Sequence, residues 1–261
     1  MNGLDELVRS ARWKRHQRRE RARLKREERR ARRRGIRFYG QFAAKDDLCF
    51  DVGANVGNRT GLLLEIPARV VAVEPQALCQ VALEESFGDN PRFTLVRAAL
   101  GPEPGTAEIR KTSSGSVYAT LSSDWMARVK TSGRFAEFSW DDTERVEVTT
   151  LDTLIRRYGE PTFCKIDVEG YERQVLEGLS TPIRALSIEF TPEFLDATEE
   201  CLALILGLGE YEFNYSLDES LVLAEGRWIS REKLLDALDG FRDDPSTFGD
   251  VYARRSELTT R

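Results

Sequence analysis

The chain has 261 residues, of which 41% are hydrophobic, and this composition predicts a folded core. No apolar run approaches the length of a membrane-spanning helix, which excludes a membrane-spanning protein. The formal net charge of −5 hides a division: residues 1–37 carry sixteen Lys or Arg against five Asp or Glu, whereas the remainder carries 23 basic and 39 acidic residues. We therefore expect a basic arm, residues 1–40, attached to an acidic domain, residues 41–261.

The basic arm is predicted to be helical. Between Lys14 and Arg34 the only apolar residues are Leu24 and a few alanines, so the helix has no stripe to bury and should be solvated. Pairs such as Glu20 with Arg23 would support it. Such an arm is compatible with binding to nucleic acid, to an anionic membrane surface or to the acidic domain of a second chain in a homo-oligomer. It is equally compatible with a solubilising or poorly ordered tail.

Two features predict a cytoplasmic protein. The amino terminus is basic but lacks the apolar segment of a signal peptide. The four cysteines are scattered without a Cys-x-x-Cys pair, and Cys49 and Cys164 fall inside apparent buried strands. Inert core thiols of this kind are typical of a reducing compartment.

From residue 41 to 254 the hydrophobic periods alternate between strand and helix, which predicts an α/β domain with a mostly parallel sheet and helices on both faces. Strands are expected near residues 47–52, 69–74, 92–97, 162–167, 184–190, 211–216 and 249–254. Helices are expected near residues 57–66, 76–87, 151–158, 171–179, 192–206 and 231–239.

A strand, a glycine turn and a helix are predicted close to the start of this domain. Asp51 ends the strand, and Gly53 and Gly57 would let the backbone approach a ligand while helix N–H groups face it. Glu74 ends the second strand, where a carboxylate suits the hydroxyl groups of a ribose. We therefore expect a ligand that contains a nucleoside.

The spacing of the glycines distinguishes between two such ligands. A dinucleotide site needs Gly-x-Gly-x-x-Gly, whereas Asn55 stands here where the second glycine should be. S-adenosylmethionine carries an ammonium group that would give Asp51 a partner, so the pattern favours the methyl donor over NAD. The glycines alone are also compatible with a purely structural turn.

The stretch from about 106 to 148 interrupts the alternation and is predicted to be an antiparallel insertion, placed to act as a substrate lid. Its small, polar segment Lys111–Val117 suits a loop that closes over substrate, or an ordinary surface loop. The segment Trp125–Trp140 mixes basic and aromatic residues, which suits either a lid or a packed helix.

A second buried strand ends at Asp167, and another carries Glu189. Because the carboxyl ends of the strands in an open α/β sheet form the ligand crevice, these two residues should converge with Asp51 and Glu74. Like charges in one cleft destabilise it unless a cationic cofactor group, a metal or a substrate proton uses them. Glu169 and Glu172, by contrast, are expected to cap the following helix.

Taken together, several segments resemble the FkbM-type methyltransferases that depend on S-adenosylmethionine. The resemblance spans about residues 45–254 and excludes the arm, and its most specific part is Lys-Ile-Asp-Val-Glu-Gly following Thr-Leu-Asp. It is carried by Phe50–Gly57, Val73–Pro75, Thr150–Leu154, Lys165–Glu172 with Val175 and Leu176, and Gly249–Arg254.

This resemblance implies a Rossmann-like, seven-stranded sheet whose last strand is antiparallel. It also implies methyl transfer to a hydroxyl oxygen of a sugar, glycolipid or other natural product. Asp51, Gly53, Asn55, Gly57 and Asn58 would form the cofactor turn, Glu74 would bind the ribose, and Asp167 would lie beside the transferring methyl group. The family often has Asn near the end of the third strand where this chain has Arg97, so the adenine contact stays unassigned.

The only histidine, His16, lies in the arm, so acid–base chemistry in the domain must use other groups. We expect Asp167 first and Glu189 second to act as the base or as ligands of a divalent cation. Their hard oxygen atoms would favour magnesium over zinc.

Two other functions remain open at this point. The first is an RNA methyltransferase that uses the basic arm, although the acidic domain would repel a nucleic-acid backbone. The second is a catalytically silent binding module, against which the intact turn Asp51–Gly57 argues. The sequence contains no motif that names the acceptor.

Overall fold

The computed structural model describes residues 3–112, 119–132 and 139–256. Parts of the predicted loop 111–117 and of the predicted segment 125–140 therefore lie outside the described residues. The long basic helix α1 comes first, and the α/β domain follows it.

The main sheet of the described chain has seven strands and is mostly parallel. Their order across the sheet is β10-β11-β9-β8-β1-β2-β3, and β11 runs antiparallel to both of its neighbours. The seven-stranded fold with an antiparallel last strand is thus confirmed, and each predicted strand is present. The strands are β1 Leu48–Val52, β2 Arg69–Val73, β3 Phe93–Val96, β8 Phe163–Ile166, β9 Ala185–Phe190, β10 Tyr211–Leu217 and β11 Gly249–Arg255.

Helices cover both faces of this sheet. The helices are α1 Gly3–Tyr39, α2 Asn58–Glu65, α3 Ala77–Phe87, α4 Ser123–Ser132, α5 Leu151–Tyr158, α6 Glu172–Glu177, α7 Leu195–Leu208 and α8 Arg231–Asp239. Neighbouring residues of β1 point into two different hydrophobic cores, one on each face of the sheet. Phe50 packs with buried residues of α5 to α8, and Cys49 packs with buried residues of α2 and of the end of α1. A 3-10 turn, Pro192–Phe194, precedes α7.

The predicted insertion, about residues 106–148, contributes to a second, four-stranded sheet. The strands of this sheet are β4 Ala99–Leu100, β5 Gly105–Lys111, β6 Ala119–Thr120 and β7 Asp142–Thr149. Their order is β4-β7-β5-β6, with β5 antiparallel to both β6 and β7 and β4 parallel to β7. Strand β4 precedes the insertion, and the described strands within the insertion pair antiparallel to one another.

Helix α1 is solvated along residues 18–34 and enters the core only at its carboxyl end. The Phe38 and Phe42 rings contact that of Tyr252 at centroid distances of 5.1 and 5.2 Å, and Phe42 also stacks on Phe163 at 5.1 Å. This aromatic cluster, Phe38, Tyr39 and Phe42 against Phe163 and Tyr252, is called the anchor below. It fixes the arm to the acidic domain.

None of the described helices is both long enough and apolar enough to cross a lipid bilayer. The four cysteines are all buried and form no disulfide, and Cys49 and Cys164 lie in strands as predicted.

Candidate active site

The glycine turn after β1 is shaped by crowding within the chain. Gly53 has φ +77°, and a Cβ atom there would lie 1.8 Å from the carbonyl oxygen of Asp167. Gly57 has φ +90°, and its Cβ would lie 2.4 Å from the Phe87 ring. Both positions require glycine for steric reasons before any ligand is considered. Gly53 thus lets the end of β1 approach the end of β8, and Gly57 lets the turn approach α3.

Asp51 lies beneath this turn rather than at its surface. Its side chain is 1% exposed and accepts a hydrogen bond of 2.6 Å from Thr60 Oγ1. Burial raises the pKa of Asp51, against the opposing charge of Lys165. Among the described residues that line the two cavities below, Asp51 does not appear. The structure thus places Asp51 where it holds the amino-terminal turn of α2.

Glu74 follows β2, and its buried carboxylate is held by two backbone amides. The N–H groups of Asn55 and Gln76 donate to its two oxygens, each at 2.8 Å. Burial raises the pKa of Glu74 to about 7, although these hydrogen bonds oppose the shift. Asn55 has φ +51°, and this left-handed conformation belongs to the same turn. Glu74 and Asn55 are therefore placed together, as the sequence predicted.

A first cavity of about 100 Å³ lies over Gly53 and Glu74 at the carboxyl edge of the sheet. Sequence reasoning did not assign its opposite wall, to which the second sheet contributes. Arg97 does not appear in the described lining; its side chain is half exposed and pairs with Glu84 on α3. The unassigned wall includes Ala98, Ala99, Leu100, Ile109, Thr120, Leu121 and Tyr171.

A second cavity, of about 510 Å³, adjoins the first. The two share Gly53, Asn55, Asp167 and Glu169, so they form one continuous cleft along the ends of β1 and β8. Predicted residues Asn58 and Glu189 line the second cavity only. Arg59, Trp125, Lys165, Thr191, Glu219 and Phe248 also line it and were not predicted.

Three carboxylates meet in the second cavity. One oxygen from each of Asp167, Glu169 and Glu189 lies within 4.8 Å of the others. Burial, followed by the charges of Asp167 and Glu169, raises the pKa of Glu189 well above its ordinary value. The structure therefore brings Asp167 and Glu189 together and adds Glu169, which was expected instead to cap α6. We call these three residues the acidic cluster.

Lys165 supplies a cation that contacts this cluster. Its side chain is 2% exposed, and its Nζ lies 2.5 Å from Asp167 Oδ2 and 4.0 Å from Asp250 Oδ1. Burial alone would lower the pKa of Lys165, but the charges of Asp167 and Asp250 outweigh it and raise the pKa. Lys165 thus stays protonated and fixes the Asp167 carboxylate.

The turn between β8 and α6 presents Glu169. This residue has φ +54°, and its carbonyl accepts a hydrogen bond of 2.6 Å from Thr120 Oγ1 of the second sheet. The buried carboxylate of Glu172 accepts from the amides of Val168 and Gly170 at 2.9 and 3.3 Å. Glu172 therefore supports the turn just before its own helix, which is close to the capping role expected for it.

The insertion packs directly on this turn. Trp125 of α4 is 2% exposed, and a Cβ atom on Gly170 would lie 2.3 Å from its ring. Arg128 holds the other side of α4, through a 2.8 Å contact with Asp196 and through the ring of Phe194. The described part of the insertion thus forms a wall of the second cavity.

Several solved structures share this fold at low similarity. They include precorrin-6y C5,15-methyltransferase from Geobacter metallireducens (10% identity, 86% of each chain covered, TM-score 0.43). A putative RNA methyltransferase from Pyrococcus horikoshii shows 10% identity, with 86% of this chain and 82% of that chain covered and a TM-score of 0.42. A putative methyltransferase from Streptococcus mutans, solved with SAH, shows 12% identity over 84% and 94%, with a TM-score of 0.39. Similarity this low carries none of their acceptors over to this chain.

Among proteins with curated descriptions, none matches the chain significantly. The model of the methyltransferase FkbM domain, however, matches residues 51–215, which include the glycine turn, Glu74 and the acidic cluster. This match covers more than half of the chain, so the protein belongs to the FkbM family of methyltransferases, which depend on S-adenosylmethionine.

Proposed function

We propose that the protein transfers a methyl group from S-adenosylmethionine to a hydroxyl oxygen of a sugar, glycolipid or other natural product. The observation that carries this proposal is the second cavity, which has room for an acceptor and places the acidic cluster beside the glycine turn. Family membership supports the methyl donor, and the acceptor is inferred from the chemistry of the cavity.

The residues of the first cavity fit the donor. Glu74 offers a buried carboxylate to ribose hydroxyl groups, and Gly53 and Asn55 line both cavities. Asn58 lies at the start of α2, within reach of the second cavity. Gly57 and Asp51 shape this turn from below. When bound, S-adenosylmethionine supplies an electrophilic methyl group.

The acidic cluster fits an alcohol acceptor, because an alcohol must lose its proton as its oxygen is methylated. Glu189 suits the role of base, since its carboxylate lies in the second cavity beside that of Asp167. Asp167, held by Lys165, would orient the same hydroxyl group. The wall that includes Trp125 would keep the acceptor close to the reacting methyl group, which supplies much of the rate in such displacements.

An RNA acceptor is the second candidate, and one observation favours it. Helix α1 exposes its basic side chains over residues 18–34 and is anchored to the domain. The affinity for an RNA substrate would fall steeply as salt rises, whereas the affinity for a neutral glycan would not.

A cytoplasmic location and a homo-oligomer joined by the arms remain predictions.

Two measurements test the proposed function. Calorimetric titration should show binding of S-adenosylmethionine and not of NAD. Labelled methyl transfer to a panel of hydroxylated acceptors should then identify a product by mass spectrometry. Glu189→Gln should retain donor binding and lose at least tenfold in turnover, because the cavity then lacks its base.

The matched control is Asp239→Asn. Asp239 is the last residue of α8, and its exposed carboxylate pairs with Arg242. Its turnover should equal that of the unmodified protein. Binding of neither S-adenosylmethionine nor NAD to a folded sample would refute the enzymatic proposal and favour a silent module.

A further inference from the structure

We propose that the acidic cluster, Asp167, Glu169 and Glu189, together with Thr191, binds a hard divalent cation such as Mg²⁺ or Mn²⁺. Three carboxylate oxygens within 4.8 Å of one another match the chemistry of such an ion, which prefers oxygen ligands. Oxygens on opposite sides of one ion lie about 4.2 Å apart around magnesium and about 4.8 Å around calcium. Only one pair among three ligands can lie on opposite sides of an ion, so binding would draw the cluster closer together.

Thr191 gives an independent indication of a ligand. Its side chain is 5% exposed, yet its Oγ1 atom is buried without a hydrogen-bond partner. Thr191 stands at the cap position before the 3-10 turn, but its side chain makes no capping bond. Buried hydroxyl groups without a partner are rare, because each one costs free energy. A bound ion, or a water molecule on it, would supply the missing partner.

The geometry of the chain directs Thr191 towards the cluster. Its backbone is extended, with φ −128° and ψ 145°, and it lies two residues after Glu189. Residues two apart in extended chain project to the same side, so Glu189 and Thr191 share one side of the chain. Both line the second cavity together with Asp167 and Glu169.

The fourth carboxylate of the described lining, that of Glu219, does not belong to the acidic cluster. Glu219 pairs with Arg59, whereas Lys165 contacts Oδ2 of Asp167. Glu219 therefore provides a comparison for the acidic cluster within the same cavity.

The site is formed before any ion binds. Thr120 holds the carbonyl of Glu169, and Glu172 holds the amides on either side of Glu169. A rigid turn of this kind reduces the ordering that metal binding requires. If the proposed function holds, the ion would lower the pKa of the acceptor hydroxyl as a Lewis acid, and Glu189 would then act as its ligand instead of as the base. This last consequence rests on that function, but the binding site does not.

The test is a titration of the full-length protein with Mn²⁺, followed by electron paramagnetic resonance, without methyl donor. We expect one saturable site from which Mg²⁺ displaces Mn²⁺. Glu189→Gln and Glu169→Gln should each weaken Mn²⁺ binding at least tenfold, and Thr191→Val should weaken it severalfold. Glu219→Gln, which alters a carboxylate of the same cavity outside the cluster, should leave it unchanged.

Denaturation midpoints of all variants establish that each one is folded. Absence of saturable Mn²⁺ binding, or equal binding by Glu169→Gln and Glu219→Gln, would overturn the inference. Titration of the same samples with S-adenosylmethionine separates the two proposals. Donor binding without metal binding refutes the ion alone, whereas metal binding without donor binding refutes the methyl-transfer function alone.

Discussion

At the scale of single residues, the lysine beneath the cleft has the largest expected effect on stability. Lys165 is buried beside Asp167, with Asp250 4.0 Å away, and its charge also opposes the raised pKa of buried Asp51. Removing the cation would leave Asp51 and Asp250 buried without compensation and would deprive the part-exposed Asp167 of its partner. Breaking a buried ion pair in this way typically costs about 3–5 kcal/mol.

Lys165→Met should therefore lower the free energy of unfolding by about 3 kcal/mol at pH 7, measured by urea denaturation. The control is Lys45→Met, because Lys45 is largely exposed and its partner, the Asp46 carboxylate at 3.9 Å, is exposed as well. That change should stay within about 0.5 kcal/mol. Equal effects of the two substitutions would contradict the structural role given to Lys165.

The raised pKa of Glu74 predicts how the affinity for S-adenosylmethionine depends on pH. Because its pKa in the folded protein is about 7, raised from 4.5, the fold favours the protonated form. Its contribution to stability is therefore greatest at low pH and declines as pH rises from about 4.5 to about 7. Ribose hydroxyl groups, in contrast, donate better to the ionised carboxylate, so donor affinity should rise over the same upper range.

Calorimetry at pH 6 and pH 8 checks this expectation. The affinity for S-adenosylmethionine should increase by up to about tenfold between these values, following the ionised fraction of Glu74. Glu74→Gln should bind more weakly at pH 8 and lose most of the pH dependence. A variant with the same slope as the unmodified protein would assign that dependence to another group.

At the scale of elements, the contact between the ends of β1 and β8 sets the shape of the cleft. Gly53→Ala would place a methyl group against the Asp167 carbonyl and impose strain at φ +77°. We expect a loss of more than about 2 kcal/mol in stability and at least tenfold in donor affinity. Gly226→Ala is the control, because no atom lies within 4 Å of its Cβ position. Denaturation measures the stability of both variants, and calorimetry measures their affinity for the donor. A Gly53→Ala protein as stable as the control would contradict this prediction.

The elements also show how far sequence predicts this site. The positions of Asp51, Glu74 and Asp167 follow from hydrophobic runs that end in an acid, since the strands of a parallel sheet end at one edge. The burial of Asp51 and its hydrogen bond from Thr60 were not predictable, because both depend on how α2 packs on the sheet. The inclusion of Glu169 depends on a left-handed backbone that no local signal announces.

The insertion was harder still to predict. Its strands are irregularly spaced, and its contacts with the site join residues far apart in the sequence, such as Trp125 packed over Gly170 and Thr120 bonded to the carbonyl of Glu169. Sequence periodicity cannot identify such long-range packing. The same holds for the anchor, since nothing around Phe38 or Phe42 indicates that Tyr252 is their partner.

At the scale of the whole molecule, charge is separated in space as well as along the chain. A helix of 37 residues is about 55 Å long, and α1 carries its basic residues away from a domain with a large acidic excess. Its lack of an apolar stripe argues against insertion into a membrane surface. A polyanion is therefore the partner that the arm suits best.

Removing residues 1–30 tests this separation while retaining Arg32 and the anchor. The full chain should bind single-stranded RNA at low salt, measured by fluorescence anisotropy, with affinity that falls steeply as salt rises. The shortened chain should lose this binding but keep its affinity for S-adenosylmethionine within about twofold. Loss of donor binding on truncation, in a folded sample, would show instead that the arm supports the cleft.

The anchor has a consequence for how the protein is made. The aromatic side chains at the end of α1 leave the ribosome early, but Tyr252, against which they pack, is translated about two hundred residues later. Strand β11, which carries Tyr252, also inserts between β9 and β10, so the sheet cannot close before residue 255 has been made. Until then the aromatic end of the arm lacks Tyr252, and before residue 163 is made it lacks Phe163 as well. The growing chain therefore exposes aromatic side chains of the anchor, which favours their binding by chaperones that act at the ribosome.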